Sequence, residues 1–347
     1  MGVPEIGDTH CFFCLFSYLC FIEDMLMKRL IGLFVLVFFI SCNTGRYQVP
    51  GNPTQNITIQ RFDKAFYEKG AALDTAFLNL YANQIMEVGE PGSRMFKQFE
   101  SIFRNDKDIQ KLYNDCQNTF NDVSDLEEEL TWAFHRMHYF FPNIPTPKVY
   151  MHIAGFGESI VSAPGIVSAG IDKYLGKDYG VYRNLFDPYQ SQRMYPEKLP
   201  VDYVTGWMRS EMTEEQLMQD QRLLDYMIYE GKMLFLIRVL MPEESMENLT
   251  GFTTNQLTWC TTNEKNMWET ITQLQHLYSK EPTVVAKYIR EAPNTAFFPQ
   301  ESPGRAASWI GFRIVEAYME NNPRVSMQNL ILKTKAQDIL KGSDYLL

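Results

Sequence analysis

The stretch that decides the fold is Leu223-Leu-Asp-Tyr-Met-Ile-Tyr-Glu-Gly-Lys-Met-Leu-Phe-Leu236. It predicts an apolar helix, part of a helical segment over residues 220–240, that carries the charged side chains of Glu230 and Lys232. Gly231 lies between them, and a glycine inside a helix costs roughly 1 kcal/mol relative to alanine. We therefore expect either close packing or a ligand at Gly231.

A second segment also contains small residues that permit close packing. Glu301-Ser-Pro-Gly-Arg305 leads into Ala306-Ala-Ser-Trp-Ile-Gly-Phe-Arg-Ile-Val315, whose small residues allow another backbone to approach. The two segments indicate a candidate cleft near Glu230, Arg305 and Trp309. A buried Glu230–Arg305 ion pair is one hypothesis for this cleft, with either a functional or a purely structural role.

The rest of the chain predicts an α+β fold in which helices dominate and the β-sheet is small. Apolar and alternating runs predict strands at residues 57–63, 148–153, 159–162 and 165–171. Helical periodicity predicts helices at residues 73–88, 94–103, 107–120, 124–141, 201–212, 220–240, 254–279, 283–291 and 304–321. Ser124, with Glu127 three residues later, predicts a capping box at one helix start. Residues 172–200 predict an ordered loop with short helical turns, and Pro164 a bend between strands.

Residues 27–42 have the layout of a secretory signal. Two cations precede an uncharged apolar run, and the small residue Ser41 stands directly before Cys42. The run is shorter than a membrane-spanning helix requires. Phe39 would block a general signal peptidase, whereas Phe-Ile-Ser-Cys resembles a bacterial lipobox. We therefore predict cleavage between Ser41 and Cys42 and lipidation of Cys42, with an uncleaved anchor or a buried helix as the alternative.

The predicted lipid anchor sets the boundaries along the chain. Each methylene group of an acyl chain, such as palmitate, strengthens membrane binding by about 0.8 kcal/mol when it is buried in the bilayer. Several such chains would hold the protein on a membrane almost irreversibly. The predicted segments are an over-long start (1–26), a lipoprotein signal peptide (27–41), a lipidated N-terminus and tether (42–56), and a single mostly helical domain (57–347).

Charge and cysteine content limit the partners and the covalent chemistry. The chain has 32 Lys and Arg against 42 Asp and Glu, a net charge of −10, and no basic run. This balance argues against a nucleic-acid partner. Beyond the predicted lipidation site only Cys116 and Cys260 remain. They either form one disulfide or stay as two buried free thiols.

No string in the sequence has the spacing of a catalytic or metal site. His135 and His138 are three residues apart on a predicted helix, whereas zinc peptidases place two histidines four apart around a glutamate. A nucleophile elbow and a phosphate-binding glycine loop are both absent from the sequence. We therefore predict no catalytic residue, no metal and no cofactor, with the histidine pair as the alternative metal site.

Several distinctive strings are spread over nearly the whole predicted mature chain: Ile59-Gln-Arg-Phe-Asp63, Tyr139-Phe-Phe-Pro142, Pro147-Lys-Val-Tyr150, Gly170-Ile-Asp-Lys-Tyr-Leu-Gly176, Arg193-Met-Tyr-Pro196, Met227-Ile-Tyr-Glu-Gly-Lys232, Gly251-Phe-Thr-Thr-Asn-Gln-Leu-Thr-Trp-Cys260, Asn263-Glu264, Trp268, Glu301-Ser-Pro-Gly-Arg305 and Trp309-Ile-Gly311. Taken in order, these strings resemble the gliding-motility lipoprotein GldB family of Bacteroidetes. The resemblance implies a lipoprotein that serves envelope machinery, which in the best-known members is surface motility.

The family also looks distantly similar to zincin-like peptidases, which implies a degenerate zincin-like fold. In such enzymes a helical glutamate–glycine pair, matching Glu230-Gly231 here, would supply the third zinc ligand. The preceding helix should carry two histidines around a glutamate, but this chain has Tyr203-Val-Thr-Gly-Trp-Met-Arg-Ser-Glu-Met212. Because a zinc-activated water needs those ligands, the resemblance implies a pseudoenzyme.

The preferred hypothesis is a non-catalytic, lipid-anchored envelope protein that binds protein or peptide partners in the cleft near Glu230, Arg305 and Trp309. No strongly acidic string follows Cys42, which favours a periplasm-facing position over surface display. We favour the outer membrane over the inner one.

Two alternatives remain open at this point. One is a divergent metallopeptidase that uses Glu230 with His135 or His138. The other is a purely structural envelope lipoprotein with no function for the cleft.

Overall fold

The sheet consists of four short strands, with parallel pairing at its centre. The computed structural model describes residues 45–68 and 70–345, so the predictions for Ser41 and Cys42 lie outside the described residues. The strands are β1 (Ile59–Arg61), β2 (Lys148–His152), β3 (Ile160–Ala163) and β4 (Ile166–Gly170), in the order β1-β2-β4-β3. β2 pairs in parallel with both β1 and β4, and β3 pairs antiparallel with β4.

Burial separates the central strands from the edge strand β3. β2 and β4 are almost wholly buried, as expected for strands covered on both faces, whereas β3 is half-buried along its length. The predicted bend is confirmed: Pro164 and Gly165, whose φ is +72°, make the turn between β3 and β4. Within the described residues, β3 has one edge that pairs with no strand.

Helices surround the sheet, which confirms the predicted α+β class with helix dominant. They are α1 (Phe62–Ala65), α2 (Thr75–Leu80), α3 (Arg94–Asn105), α4 (Lys107–Thr119), α5 (Ser124–Phe140), α6 (Tyr182–Leu185), α7 (Pro188–Ser191), α8 (Leu199–Glu211), α9 (Glu214–Leu217), α10 (Leu223–Leu240), α11 (Met246–Thr250), α12 (Thr254–Thr262), α13 (Glu264–Gln273), α14 (Pro282–Ile289), α15 (Ala306–Asn321) and α16 (Ala336–Ser343). Shorter turns are the 3-10 segments Ile171–Lys173 and Pro196–Lys198 and the π segments Tyr81–Ile85 and Asn329–Lys333. Residues 52–347 form one compact unit.

The predicted capping box at Ser124 is wrong. Val123 is the N-cap residue of α5, and the backbone N–H of Ser124 donates to the side chain of Asp122 at 2.9 Å. The carboxylate of Glu127 instead accepts the backbone N–H of Ile59 at 2.7 Å. This long-range hydrogen bond ties β1 to the first turn of α5 and removes Glu127 from capping.

The predicted single helix over residues 254–279 is also wrong, because two helices, α12 and α13, meet at Asn263. The side-chain amide of Asn263 donates to the carbonyl of Trp259 at 2.9 Å. Such local side-chain hydrogen bonds compete with the helical backbone and favour helix ends. A loop follows α13 where the prediction continued the helix.

Helix α10 crosses α15 at very short range. A Cβ atom built on Gly231 would lie 2.3 Å from the carbonyl carbon of Gly311. A Cβ atom on Gly311 would lie 1.7 Å from the carbonyl oxygen of Met227. The expectation of close packing at Gly231 is confirmed, and α15 is the backbone that approaches it.

The two cysteines are buried free thiols, so the structure has the second of the two predicted alternatives. Burial raises the pKa of both thiols, to about 12 for Cys260, while Cys116 is raised further. A thiol is a weak nucleophile when its pKa lies that high, so both residues act as core side chains.

None of the helices in the described part of the chain combines the length and the apolar character needed to cross a bilayer.

Candidate functional site

A cavity of about 250 Å³ lies beside the crossing of α10 and α15. Its walls come from α8, α10 and α15 and from the loops that carry Arg193, Phe252 and Glu291. We refer to it as the central cavity. Glu230, Arg305 and Trp309, the residues of the predicted cleft, all line it.

A second cavity of about 290 Å³ adjoins the first on the side of the sheet. Ser159 and Ile160, at the start of edge strand β3, form part of its wall, and we refer to it as the strand-side cavity. The two cavities share the lining residues Arg193, Asp202, Thr205 and Glu291. We refer to the two adjoining cavities together as the groove, which is lined from the start of β3 to the first turn of α15.

Helix α8 provides one continuous wall of this groove. Asp202, Thr205 and Arg209 follow each other at three- and four-residue spacings, which places them on one face of the helix. Gly206 lets that helix pack against β3, because a Cβ atom there would lie 2.4 Å from Cγ2 of Ile160. The sequence therefore sets both the position of α8 and the polar face it presents.

The hypothesis of a Glu230–Arg305 ion pair is wrong, because Glu230 pairs with Arg209. The two guanidinium NH groups of Arg209 donate to the two carboxylate oxygens of Glu230 at 2.9 and 2.7 Å. The Arg209 guanidinium also lies over the ring of Tyr229, 5.4 Å from its centroid. Bidentate geometry of this kind makes an arginine–carboxylate pair strong and well oriented.

Arg305 reaches the central cavity without a carboxylate of its own. One guanidinium NH group donates to the carbonyl oxygen of Thr250 at 2.7 Å, and the group lies 5.5 Å from the ring centroid of Phe252. No acidic side chain among residues 45–68 and 70–345 comes within ion-pair distance of it. Burial, and after it the positive charge of Arg193, lower the pKa of Arg305 to about 9.

The other cations that line the central cavity have acidic partners. Lys198 is buried and donates to Asp202 at 2.5 Å, and burial lowers the pKa of its ammonium group. The hydroxyl of Tyr174 donates to the second oxygen of Asp202 at 2.9 Å. Arg193 pairs with Glu291 where the two cavities meet.

Two residues of α15 complete the central cavity. The indole N–H of Trp309 donates to Glu264 at 3.0 Å, which fixes the ring as a rigid wall. Ser308, one position earlier, also lines the cavity and is 8% exposed. Its buried hydroxyl has no hydrogen-bond partner.

The histidines of the alternative metal site lie elsewhere. His135 and His138 line a separate pocket with Pro142 and Ile144, so the structure does not bring them together with Glu230. Within the part of the chain that the structure describes, no three His, Cys, Asp or Glu side chains are grouped as metal ligands would be.

Sequence reasoning missed most of the polar residues in the groove, above all Arg209 and Ser308. A signal for Arg209 was available, since it shares a helical face with Asp202 and Thr205 in a segment rich in large apolar residues. It also lies in the helix that, by the similarity to zincin-like peptidases, should carry two histidines. Nothing comparable marks Ser308, whose importance depends on its lack of a partner in the folded chain.

The fold and the groove define the class of protein: a mostly helical α+β domain with a charged, partly enclosed groove. A family model described as "Gliding motility protein GldB" matches residues 47–346. The chain therefore belongs to the GldB family of gliding-motility lipoproteins of the cell envelope, which confirms the resemblance seen in the sequence. No curated protein and no solved structure matches it.

Proposed function

We propose that this chain is a non-catalytic, lipid-anchored envelope protein whose groove binds a peptide segment of a partner protein. The observation that carries the proposal is the bidentate pairing of Glu230 with Arg209. A glutamate that ligates zinc or accepts a proton must offer its oxygens to the metal or the substrate. Both oxygens of Glu230 are engaged by an arginine that stays protonated at any physiological pH.

The shape of the groove supports a peptide as the ligand. Each cavity is of the size that holds one or two side chains, since about 150 Å³ is enough for a benzene molecule. The start of β3 lines the groove, and β3 leaves a strand edge unpaired within the described residues. Extended peptides commonly bind by pairing with such an edge while alternate side chains enter pockets.

The anchor places this groove at a membrane surface. Lipidation of Cys42 and the tether up to residue 56 would hold the domain close to the bilayer, facing the periplasm, with the outer membrane favoured over the inner one. Partner proteins of the envelope are then the natural source of the peptide. Restricting both molecules to one membrane raises their effective concentration, so a modest intrinsic affinity suffices.

Photo-crosslinking in living cells tests the proposal. Benzoylphenylalanine at Thr205, inside the groove, should crosslink to a specific envelope protein, while the same residue at exposed Leu274 should not. With that partner purified, Thr205→Trp should weaken binding at least tenfold because the ring fills the groove, and Leu274→Trp should leave binding unchanged. Equal crosslinking from both positions, or equal binding by both variants, would contradict a groove-bound partner.

The metallopeptidase alternative has its own test. Metal content is measured by mass spectrometry on protein prepared without chelator, together with peptidase activity. Near-stoichiometric zinc that is lost in Glu230→Gln but kept in Glu269→Gln would favour the enzyme. Folded protein with negligible zinc and no peptidase activity would exclude the metallopeptidase alternative.

A further inference from the structure

The central cavity has an excess of positive charge in an acidic protein. The cavity is lined by four cationic side chains, those of Arg193, Lys198, Arg209 and Arg305. It is also lined by three carboxylates, those of Asp202, Glu230 and Glu291. The lining thus carries a net charge of +1, while the chain as a whole carries −10.

That excess charge belongs to one residue. Arg193, Lys198 and Arg209 are each paired with a carboxylate, and Arg305 is not. A guanidinium has five N–H donors in a planar fork, and Arg305 gives one of them to the carbonyl of Thr250. An enclosed cation that no carboxylate contacts directly is costly, so a site that retains one is arranged for an anion supplied from outside.

Two further polar atoms beside Arg305 lack partners. The hydroxyl of Ser308, three residues along the chain and on the same cavity wall, is buried and unsatisfied. The Nε–H group of Arg193 is also buried without an acceptor. Buried donors are satisfied in most folded proteins, so two unsatisfied donors in residues that line the same cavity point to an absent acceptor.

The backbone adds to this positive field. Arg305 is the N-cap residue of the 16-residue helix α15, in a left-handed conformation with φ +60° and ψ +20°. The N-terminus of a helix carries a partial positive charge that favours anions. A non-glycine residue is strained in that conformation, and strain of this kind is retained mainly at functional sites.

We propose that Arg305 and Ser308, with Arg193 beside them, bind a carboxylate of the partner peptide in the central cavity. This inference rests on the proposed function and specifies the group that the groove recognises. A carboxylate matches the planar fork of the guanidinium, accepts a further hydrogen bond from the serine hydroxyl, and balances a single positive charge. A phosphate dianion would exceed that charge and would lie near three fixed carboxylates.

The carboxylate can come from the C-terminus of a chain or from an Asp or Glu side chain. Binding of four short peptides to the full-length lipoprotein in non-ionic detergent separates these sources. The pairs are acetyl-Ala-Ala-Phe with a free or an amidated C-terminus, and amidated acetyl-Ala-Glu-Ala or acetyl-Ala-Gln-Ala. Inorganic phosphate serves as the competing anion.

At least one carboxylate peptide should bind ten times or more tightly than its neutral counterpart, and phosphate at equal concentration should not displace it. Arg305→Gln should abolish that preference, Arg305→Lys should retain part of it, and Ser308→Ala should weaken binding about threefold. Arg94→Gln, which removes an exposed arginine outside the groove, should change nothing.

Equal affinity for charged and neutral peptides, or binding of phosphate alone, overturns the carboxylate site. Failure of every peptide to bind a folded protein overturns it as well. If a crosslinked partner still depends on the groove in those cases, the proposed function survives and only the carboxylate assignment is lost. Carboxylate binding without any groove-dependent partner would keep the carboxylate site and overturn the proposed function.

Discussion

Arg209 and Glu230 join helix α8 to helix α10 through two parallel hydrogen bonds of 2.9 and 2.7 Å. Their side chains are 34% and 15% exposed, so the pair is only partly screened by solvent. We predict that Arg209→Met and Glu230→Gln each lower the free energy of unfolding by about 1–3 kcal/mol. The double variant should show a coupling energy of about 1–2 kcal/mol in a urea-unfolding cycle.

The exposed pair Lys265–Glu269 provides the matched control for that cycle. Its groups are 3.8 Å apart and 77% and 48% exposed, so the same analysis should give about 0.3 kcal/mol. A coupling energy for Arg209 and Glu230 no larger than this would mean that Glu230 is free for another role. The case for a non-catalytic protein would then lose its main support.

The crossing of α10 and α15 predicts a severe response to the smallest added side chain. Gly311→Ala would place a methyl group within bonding distance of the Met227 carbonyl, and Gly231→Ala would place one against the backbone of Gly311. Each variant should lose about 3 kcal/mol or more of unfolding free energy, because neither helix can move without opening the core. Gly180→Ala, where a Cβ meets nothing within 4 Å, should change stability by less than about 0.5 kcal/mol.

Much of the fold was predictable because it depends on local patterns. The glycine in the apolar helix 223–236 and the small residues after Arg305 each indicated room for another backbone, and in the structure the two helices pack against each other. The prediction failed at Asn263, where a side-chain hydrogen bond ends the helix, and at Glu127, whose carboxylate is used by a distant strand. Both failures involve polar side chains that can form hydrogen bonds with more than one partner.

The site was less predictable than the fold for the same reason. The sequence singled out Glu230 and Arg305 as residues of a candidate cleft, and the structure places both on one cavity. Which cation pairs with Glu230 depends on how α8 lies against α10, and that follows from contacts such as Gly206 against Ile160. No spacing along the chain encodes this choice.

Lys232 predicts a pH dependence of stability. Its ammonium group is buried and donates to the carbonyls of Ile331 and Thr334 at 3.2 and 2.7 Å, and burial lowers its pKa from 10.5 to about 8. Between pH 8 and 10.5 the Lys232 amine is protonated in the unfolded chain but mostly neutral in the folded chain. Lys232 therefore makes the free energy of unfolding rise with pH over this range. The cost of the buried charge is full below pH 8.

Comparison with Lys232→Met isolates that contribution. The unfolding free energy of the wild type minus that of the variant should increase by about 2 kcal/mol from pH 7 to pH 10. Lys280→Met, at an exposed lysine, should show no such increase over the same range. A flat difference for Lys232→Met would place the folded pKa of Lys232 near its ordinary value.

The predicted anchor makes Cys42 the residue on which membrane attachment depends. Cys42→Ser should abolish incorporation of labelled palmitate and release the protein from the membrane fraction, because the acyl chains supply the binding free energy. Cys116→Ser should leave both unchanged, since that buried thiol lies inside the folded domain. Membrane retention of an uncleaved Cys42→Ser protein would instead show that residues 30–40 act as a helical anchor.

The enclosed charge of Arg305 should lower the stability of the protein while it enables the proposed carboxylate binding. Its pKa lies at about 9 against an ordinary 12.5, so the unfolded chain holds the proton more tightly and the folded chain bears the cost at every pH below 9. Arg305→Met removes the enclosed charge and should raise the unfolding free energy at pH 7 by about 1 kcal/mol, although one hydrogen bond is lost.

The same Arg305→Met variant should no longer prefer the carboxylate peptides. Arg209→Met is the matched comparison, because it also replaces a groove arginine but leaves Glu230 without a partner and should therefore destabilise the protein. Urea unfolding of the two variants at pH 7 should move in opposite directions. If Arg305→Met is destabilised as much as Arg209→Met, the contacts of Arg305 with Thr250 and Phe252 are its main purpose, and the groove holds no arginine kept for a ligand.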